Sequence, residues 1–193
     1  MNNMDKIVDE ILGYVTQLYG FNDTQKEIAR YGIQGIFEIG INIIISLIIM
    51  YQMDMILEGM IFFLVFIPLR TFVGGFHLET YLGCLISSSV ILIAVLEISS
   101  HVTIRASLCF ICSFVLELMI WRTGMITNPN RPVSANEEKQ ILIRIKYTLI
   151  ILQIISLIML LLQSVRFLKV IMFCLCTILL SQLAGKLKYQ RVS

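Results

Sequence analysis

The hydrophobic pattern of the chain changes character near residue 30. Before that point Met4, Ile7, Ile11, Val15 and Leu18 recur at three- and four-residue steps, with Val8, Leu12 and Tyr19 beside them, while Asp5, Asp9 and Glu10 take the other side. This spacing predicts an amphipathic helix that lies along a membrane surface or caps a bundle. Asn22 or Asp23 is placed to cap a second helix running into the first apolar span. Six apolar segments follow, at about 33–53, 55–69, 83–100, 102–121, 141–162 and 166–184. A helical span needs ~20 apolar residues, so the second, "MILEGMIFFLVFIPL", is short and either tilts little or continues into the stretch after it. The expected fold is an all-α integral membrane protein: an N-terminal amphipathic helix plus about six transmembrane helices, the last pair able to form a hairpin that does not cross fully. One domain over 1–193 accommodates it, with N-terminal helices in 1–30, the bundle in 33–184, a polar motif at 70–84 and a loop at 122–140.

Composition sharpens this picture. The chain is 58% hydrophobic and only 15% charged, with a mean hydropathy of +0.86, against ~25% charged residues in soluble domains. The bilayer is therefore an obligate partner. The net charge of +2 is too small, and its cations too scattered, for nucleic-acid binding. The cations do set an orientation. With six spans and an inner N-terminus, Lys6, Lys26, Arg30, Arg70, Arg122, Arg131, Lys139, Arg144, Lys146, Lys186, Lys188 and Arg191 lie inside, and only Arg105, Arg166 and Lys169 outside. That bias places both termini, the 70–84 motif and the loop "NPNRPVSANEEK" in the cytoplasm.

Polar residues within the spans mark the bundle interior. Gln34, Glu38, Asn42 and Ser46 fall at four-residue steps on one face of the first span, a stripe that does not belong against lipid. Glu38 and Glu117 lie toward the inner helix ends, Glu58 and Glu97 toward the outer ends. These acids either pair with neighbours or stay neutral and hold helices together, or else Glu38 or Glu117 lines a cavity reaching the cytoplasmic side. Four of the five cysteines lie inside apolar runs and read as small buried hydrophobes. This includes the C-x-x-C of Cys109 and Cys112, since "SLCFICSF" lacks the ligands or polar surroundings of a metal or redox site. No metal or other cofactor is expected.

The chemistry concentrates in "PLRTFVGGFHLETYLGC", Pro68 to Cys84. A thiol becomes a strong nucleophile beside a histidine or at a helix N-terminus. Cys84 has both within reach, since His77 precedes it and the third span begins near Gly83. In one unbroken helix the seven-residue spacing of His77 and Cys84 would separate them by ~10 Å along the axis, too far for a hydrogen bond. A dyad therefore needs the chain to fold back, with breaks at Gly74, Gly75 and Gly83, or pairing across a dimer. Glu79 is a candidate to orient the imidazole. Ser87, Ser88 and Ser89 either donate to an oxyanion or bond to helix carbonyls. Arg70 either holds a substrate carboxylate or carbonyl or anchors the loop to an acid such as Glu117. Keeping water from the reacting centre calls for a thiol buried at the membrane edge.

The arrangement R-x4-G-G-x-H-x6-C, "RTFVGGFHLETYLGC" here, closely resembles the signature of the accessory gene regulator B family, bacterial membrane cysteine endopeptidases that process quorum-sensing peptide precursors. The likeness extends over nearly the whole chain: a polar N-terminal helix, a span pair before the motif, and the basic loop "NPNRPV" before the last hydrophobic pair. The resemblance implies Cys84 as nucleophile and His77 as its base, with Arg70 and Gly75 matching the family's other motif residues. It also implies a short amphipathic precursor with an acidic tail as substrate, cleavage before that tail through a thioester on Cys84, cyclisation to a thiolactone or lactone, a homodimer, and a bacterial cell membrane with the site facing the cytoplasm. The loop departs from relatives that carry a dense lysine run. Here Arg131, Lys139, Arg144 and Lys146 are mixed with Glu137 and Glu138, a departure that weakens the case for tail recognition by this loop, and Arg131 stands as a supporting or substrate-binding candidate. Two readings from other classes stand beside this one. A small peptide or metabolite transporter would use Glu38, Asn42, Glu58 and Glu97 as its polar pathway, and a non-catalytic adaptor would dock a partner through the N-terminal helix.

Overall fold

The computed structural model describes residues 3–75, 80–126 and 134–190. Seven helices account for nearly all of them: α1 (Asn3–Tyr19), α2 (Asp23–Gln52), α3 (Ile56–Val73), α4 (Tyr81–His101), α5 (Ala106–Thr123), α6 (Ala135–Leu161) and α7 (Val165–Gln190). Among the described residues there is no strand. From α2 to α7, six helices are long and apolar enough to cross a membrane, so the protein is an all-α, multi-pass membrane protein. The short second segment does continue into the motif: α3 passes through Pro68 and ends only at Val73. The last two helices each have the length and composition to span.

The chain divides into two compact units, 1–48 and 49–193. Within the first, Asn22 rather than Asp23 caps α2. Its Oδ1 accepts from the Gln25 N–H at 2.8 Å, and its own N–H donates to Gln25 Oε1 at 3.0 Å, a reciprocal capping box. An exposed Arg30–Asp9 pair at 2.9 Å joins the start of α2 to α1. The expected polar stripe is bonded along α2 itself, Gln34 Nε2 donating to Glu38 Oε1 at 2.9 Å and Ser46 Oγ to Asn42 Oδ1 at 3.4 Å.

In the second unit α7 is the central helix, packing on α3, α4, α5 and α6. Val170, Ile171, Cys174, Leu175, Ile178 and Leu179 of α7 meet Phe62, Val65, Leu69 and Val73 of α3, with Leu92, Val95 and Leu96 from α4 and Ile145, Leu149 and Leu152 from α6. The α3 residues recur at three- and four-residue intervals, one face of a helix. Cys174 is a fully buried member of this packing and Cys109 of a second cluster with Leu168 and Met172, as expected of small apolar side chains, whereas Cys112 and Cys176 are half-buried. At the end away from the motif the connections are tight, 53–55, 102–105 and 162–164, with Asp54 and Gln163 at positive φ. At the motif end they are longer, 74–80 and 124–134.

Candidate functional site

Arg70 lies in the last turn of α3, and the helix stops at Val73 because two glycines follow in conformations that side chains rarely adopt. Gly74 has φ +71° and Gly75 φ +132°. The Gly74 N–H still donates to Arg70 O at 3.2 Å, while Val73 O accepts from the Ile126 N–H at 2.9 Å. Gly74 and Ile126 thereby form a short parallel bridge, and a side chain on Gly74 would run into the Ile126 carbonyl oxygen. The chain leaving α3 is thus sewn to the chain leaving α5.

Gly75 is more tightly held. A Cβ there would fall 2.6 Å from Arg70 Nη1 and 2.9 Å from both the carbonyl oxygen and Oγ of Ser181. Its backbone is clamped between the guanidinium and α7. The next α7 residue, Gln182, is fully buried and donates from Nε2 to Gly124 O at 2.8 Å and Ile120 O at 3.4 Å. Adjacent residues of the central helix therefore fix both segments, Ser181 the glycine pair and Gln182 the end of α5.

On the far side of the loop Thr80 is the N-cap of α4. Its Oγ1 accepts from the Gly83 N–H at 3.3 Å, and its carbonyl accepts from the Cys84 N–H at 3.1 Å. Gly83 is consequently not a chain break. It is the third residue of α4, where a cap holds its N–H. Cys84 sits in the first turn, near the positive end of the helix dipole. Its thiol is exposed rather than buried, since the fully buried positions of α4 begin only at Leu92, two turns on. Ser88 Oγ donates to Leu85 O at 2.9 Å, a helix-carbonyl bond rather than one aimed at a reacting centre.

The structure brings Arg70 and Gly75 together and places Cys84 at a capped helix start. His77, Glu79 and Arg131 lie outside the described residues. Since α3 ends at Val73 and α4 begins at Tyr81, no unbroken helix separates His77 from Cys84. Arg70 does not anchor to Glu117. That carboxyl is 5% exposed and has no hydrogen-bond or ion-pair partner among the described residues, whereas Arg70 lies against Gly75. The acids of the other segments hold local partners. Glu58, nearly buried, pairs with Arg166 at 3.2 Å, and exposed Glu97 with His101 at 3.5 Å. Among the described residues no three His, Cys, Asp or Glu side chains gather as metal ligands do.

Thr80, Ser181 and Gln182 were not singled out from the sequence. Thr80 had a signal, a threonine immediately before an apolar run. Gln182 had one too, as an amide in an otherwise apolar segment, which should face the bundle interior.

Fold and site together define a multi-pass helical membrane protein in which a glycine pair, held between α3, α7 and the chain leaving α5, precedes a helix carrying a cysteine in its first turn. The chain belongs to the accessory gene regulator B family, whose family model matches residues 5–184. Membership covers most of the chain and makes it a member of a quorum-sensing family. No curated protein and no solved structure matches it.

Proposed function

We propose that the protein is a membrane cysteine endopeptidase that removes the acidic tail of a short quorum-sensing precursor and promotes closure of the remaining peptide into a thiolactone or lactone. The observation that carries this reading is the local build of the motif. The Arg70–Gly75 clamp fixes where the loop leaves α3, and the Thr80 cap fixes where it enters α4. The chain on either side of His77 is fixed at Gly75 and at Thr80, and the thiol in the first turn of α4 is accessible.

In the proposed reaction His77 takes the Cys84 proton, and the sulfur attacks the carbonyl of the scissile peptide bond. Collapse of the tetrahedral adduct breaks the C–N bond. His77 returns the proton to the departing amine, which leaves with the acidic tail. The upstream peptide remains as a thioester on Cys84. A thiol or hydroxyl within that peptide then attacks the thioester carbonyl, its proton passing through His77 to the Cys84 sulfur as the ring closes. Charge supports the cytoplasmic assignment of this end, since Arg122, Arg144, Lys146, Lys186 and Lys188 all belong to it, a surface suited to an acidic tail. The membrane is the bacterial cell membrane, and the working unit is the homodimer implied by the resemblance.

Membranes containing the protein, incubated with candidate short precursors and followed by mass spectrometry, test this. Tail release by the wild type, its loss in Cys84→Ala and His77→Ala, and a peptide thioester trapped on Cys84 are expected. Undiminished cleavage by Cys84→Ala would overturn the reading.

A further inference from the structure

Between α5 and α6 lies a groove of about 340 Å³, walled by side chains such as Phe114, Trp121 and Leu157, near the small end of the ~300–1,000 Å³ range of ligand pockets. It runs from Trp121 and Lys146 at the motif end to Phe114 and Leu157, and the eleven-residue step from Lys146 to Leu157 makes it ~16 Å long. Two polar side chains break its apolar lining partway down. Glu117 is 5% exposed, and Glu117 Oε1 and Gln153 Oε1 are both buried without a hydrogen-bond partner among the described residues. Ionisable side chains inside membrane spans do not persist against lipid without a use. The acids within α3 and α4 have partners, Glu58 in Arg166 and Glu97 in His101.

We infer that this groove seats an apolar segment of the peptide substrate, held by a donor side chain (hydroxyl, thiol, amide or ammonium) that bonds to Glu117 and Gln153. Three observations select this occupant. First, the unpaired atoms are acceptor oxygens, and Gln153 lies seven residues, ~10 Å, below Lys146. A lipid acyl chain has no donor at that depth, whereas a polypeptide segment carries one on a side chain. Second, the groove reaches the motif end of the bundle. Trp121 is in the last turn of α5, and the chain beyond it bonds through Ile126 to Val73, next to the Gly74–Gly75 pair. Third, the volume suits a few side chains from one segment rather than the packed face of a second bundle. Held there, the peptide would be fixed upstream of the bond presented to Cys84. The inference rests on the peptide-processing reading and adds to it the place where the uncleaved part is gripped.

The test uses the full chain in membranes and the precursor whose cleavage depends on Cys84. A benzophenone amino acid at Phe114 in the Cys84→Ala protein is expected, on irradiation, to form an adduct with an apolar segment of that precursor. Glu117→Leu should lower the adduct yield about tenfold, and Glu117→Gln, which keeps an acceptor oxygen, should retain most of it. In the active protein Glu117→Leu should raise KM about tenfold with kcat within a factor of about two. Its thermal stability should match or exceed that of the wild type, because an unpaired buried carboxyl has been replaced by an apolar side chain. Cross-links only to lipid or to a second copy, an unchanged KM, or a loss of activity that follows a fall in Tm would each overturn the inference while leaving Cys84-dependent cleavage in place. If no precursor is cleaved in a Cys84-dependent way, the peptidase reading falls first and the groove assignment with it.

Discussion

Gly75→Ala is the substitution that most directly probes how the motif is built. Two costs arise at once. Alanine at φ +132° is strained by about 1–3 kcal/mol. Its methyl would also lie 2.6 Å from Arg70 Nη1 and 2.9 Å from two oxygens of Ser181, an overpacking worth about 1–3 kcal/mol. The Arg70 head can swing aside, but the Ser181 carbonyl belongs to the central helix and cannot. A net near 3 kcal/mol is therefore reasonable, and at 1.4 kcal/mol per decade the seated loop becomes about 100-fold rarer. Because the strain is relieved by unseating the loop, Tm should move little while Cys84-dependent tail release falls about 100-fold. Gly124→Ala is the matched control. It also has positive φ, +70°, but open space around the added Cβ, so only the backbone strain of about 1–3 kcal/mol applies, without the overpacking, and activity should fall clearly less than in Gly75→Ala. Adding Ser181→Gly to Gly75→Ala removes Oγ but not the carbonyl, so rescue should be partial at most. Half or more of wild-type activity in Gly75→Ala would refute the idea that the loop is seated on Ser181.

Three further outcomes follow from the same contacts. Thr80→Ala removes the α4 cap and should cost about 1 kcal/mol, with Thr80→Ser restoring both stability and tail release; equal Tm in all three proteins would count against the cap. Gln182→Ala strips Gly124 O of a buried donor and leaves a cavity, a loss of about 2–3 kcal/mol, whereas Gln182→Leu fills the space and should lose activity more than stability. Arg166→Ala leaves Glu58 nearly buried without its cation and should destabilise by about 2 kcal/mol, most of it recovered by Glu58→Gln in the same chain, as a double-mutant cycle in detergent would report.

The spans were legible because apolar length is a local property, and the acids at 58 and 97 were legible as partners for cations or for each other's surroundings. A cap at Asn22 or Asp23 was legible for the same local reason, and the side-chain bonds decide for Asn22. What the sequence could not convey was assembly. The last segment is apolar on every side, so no period distinguishes a helix facing lipid from one at the centre of the bundle, and α7 proved to be the latter. Arg70 was assigned between a substrate and Glu117 because acid and base attract on paper. The guanidinium lies against the backbone of Gly75, itself held against a serine 106 residues further along the chain, and Glu117 stands apart. The buried thiol was expected from the chemistry of a thioester, whereas its exposure depends on how far α4 extends before it meets α7.

The tight connections at 53–55, 102–105 and 162–164 and the longer ones at 74–80 and 124–134 have a consequence for how such a protein diversifies. Insertions at the tight end must disturb helix spacing, so that end resists change. The motif end can lengthen, shorten or exchange loop residues while the bundle keeps its register. Variation confined to 127–133 therefore leaves in place the Gly124 and Ile126 contacts that hold the chain leaving α5. For engineering, the same asymmetry makes 127–133, beyond the Ile126 bond, the natural place to insert a segment.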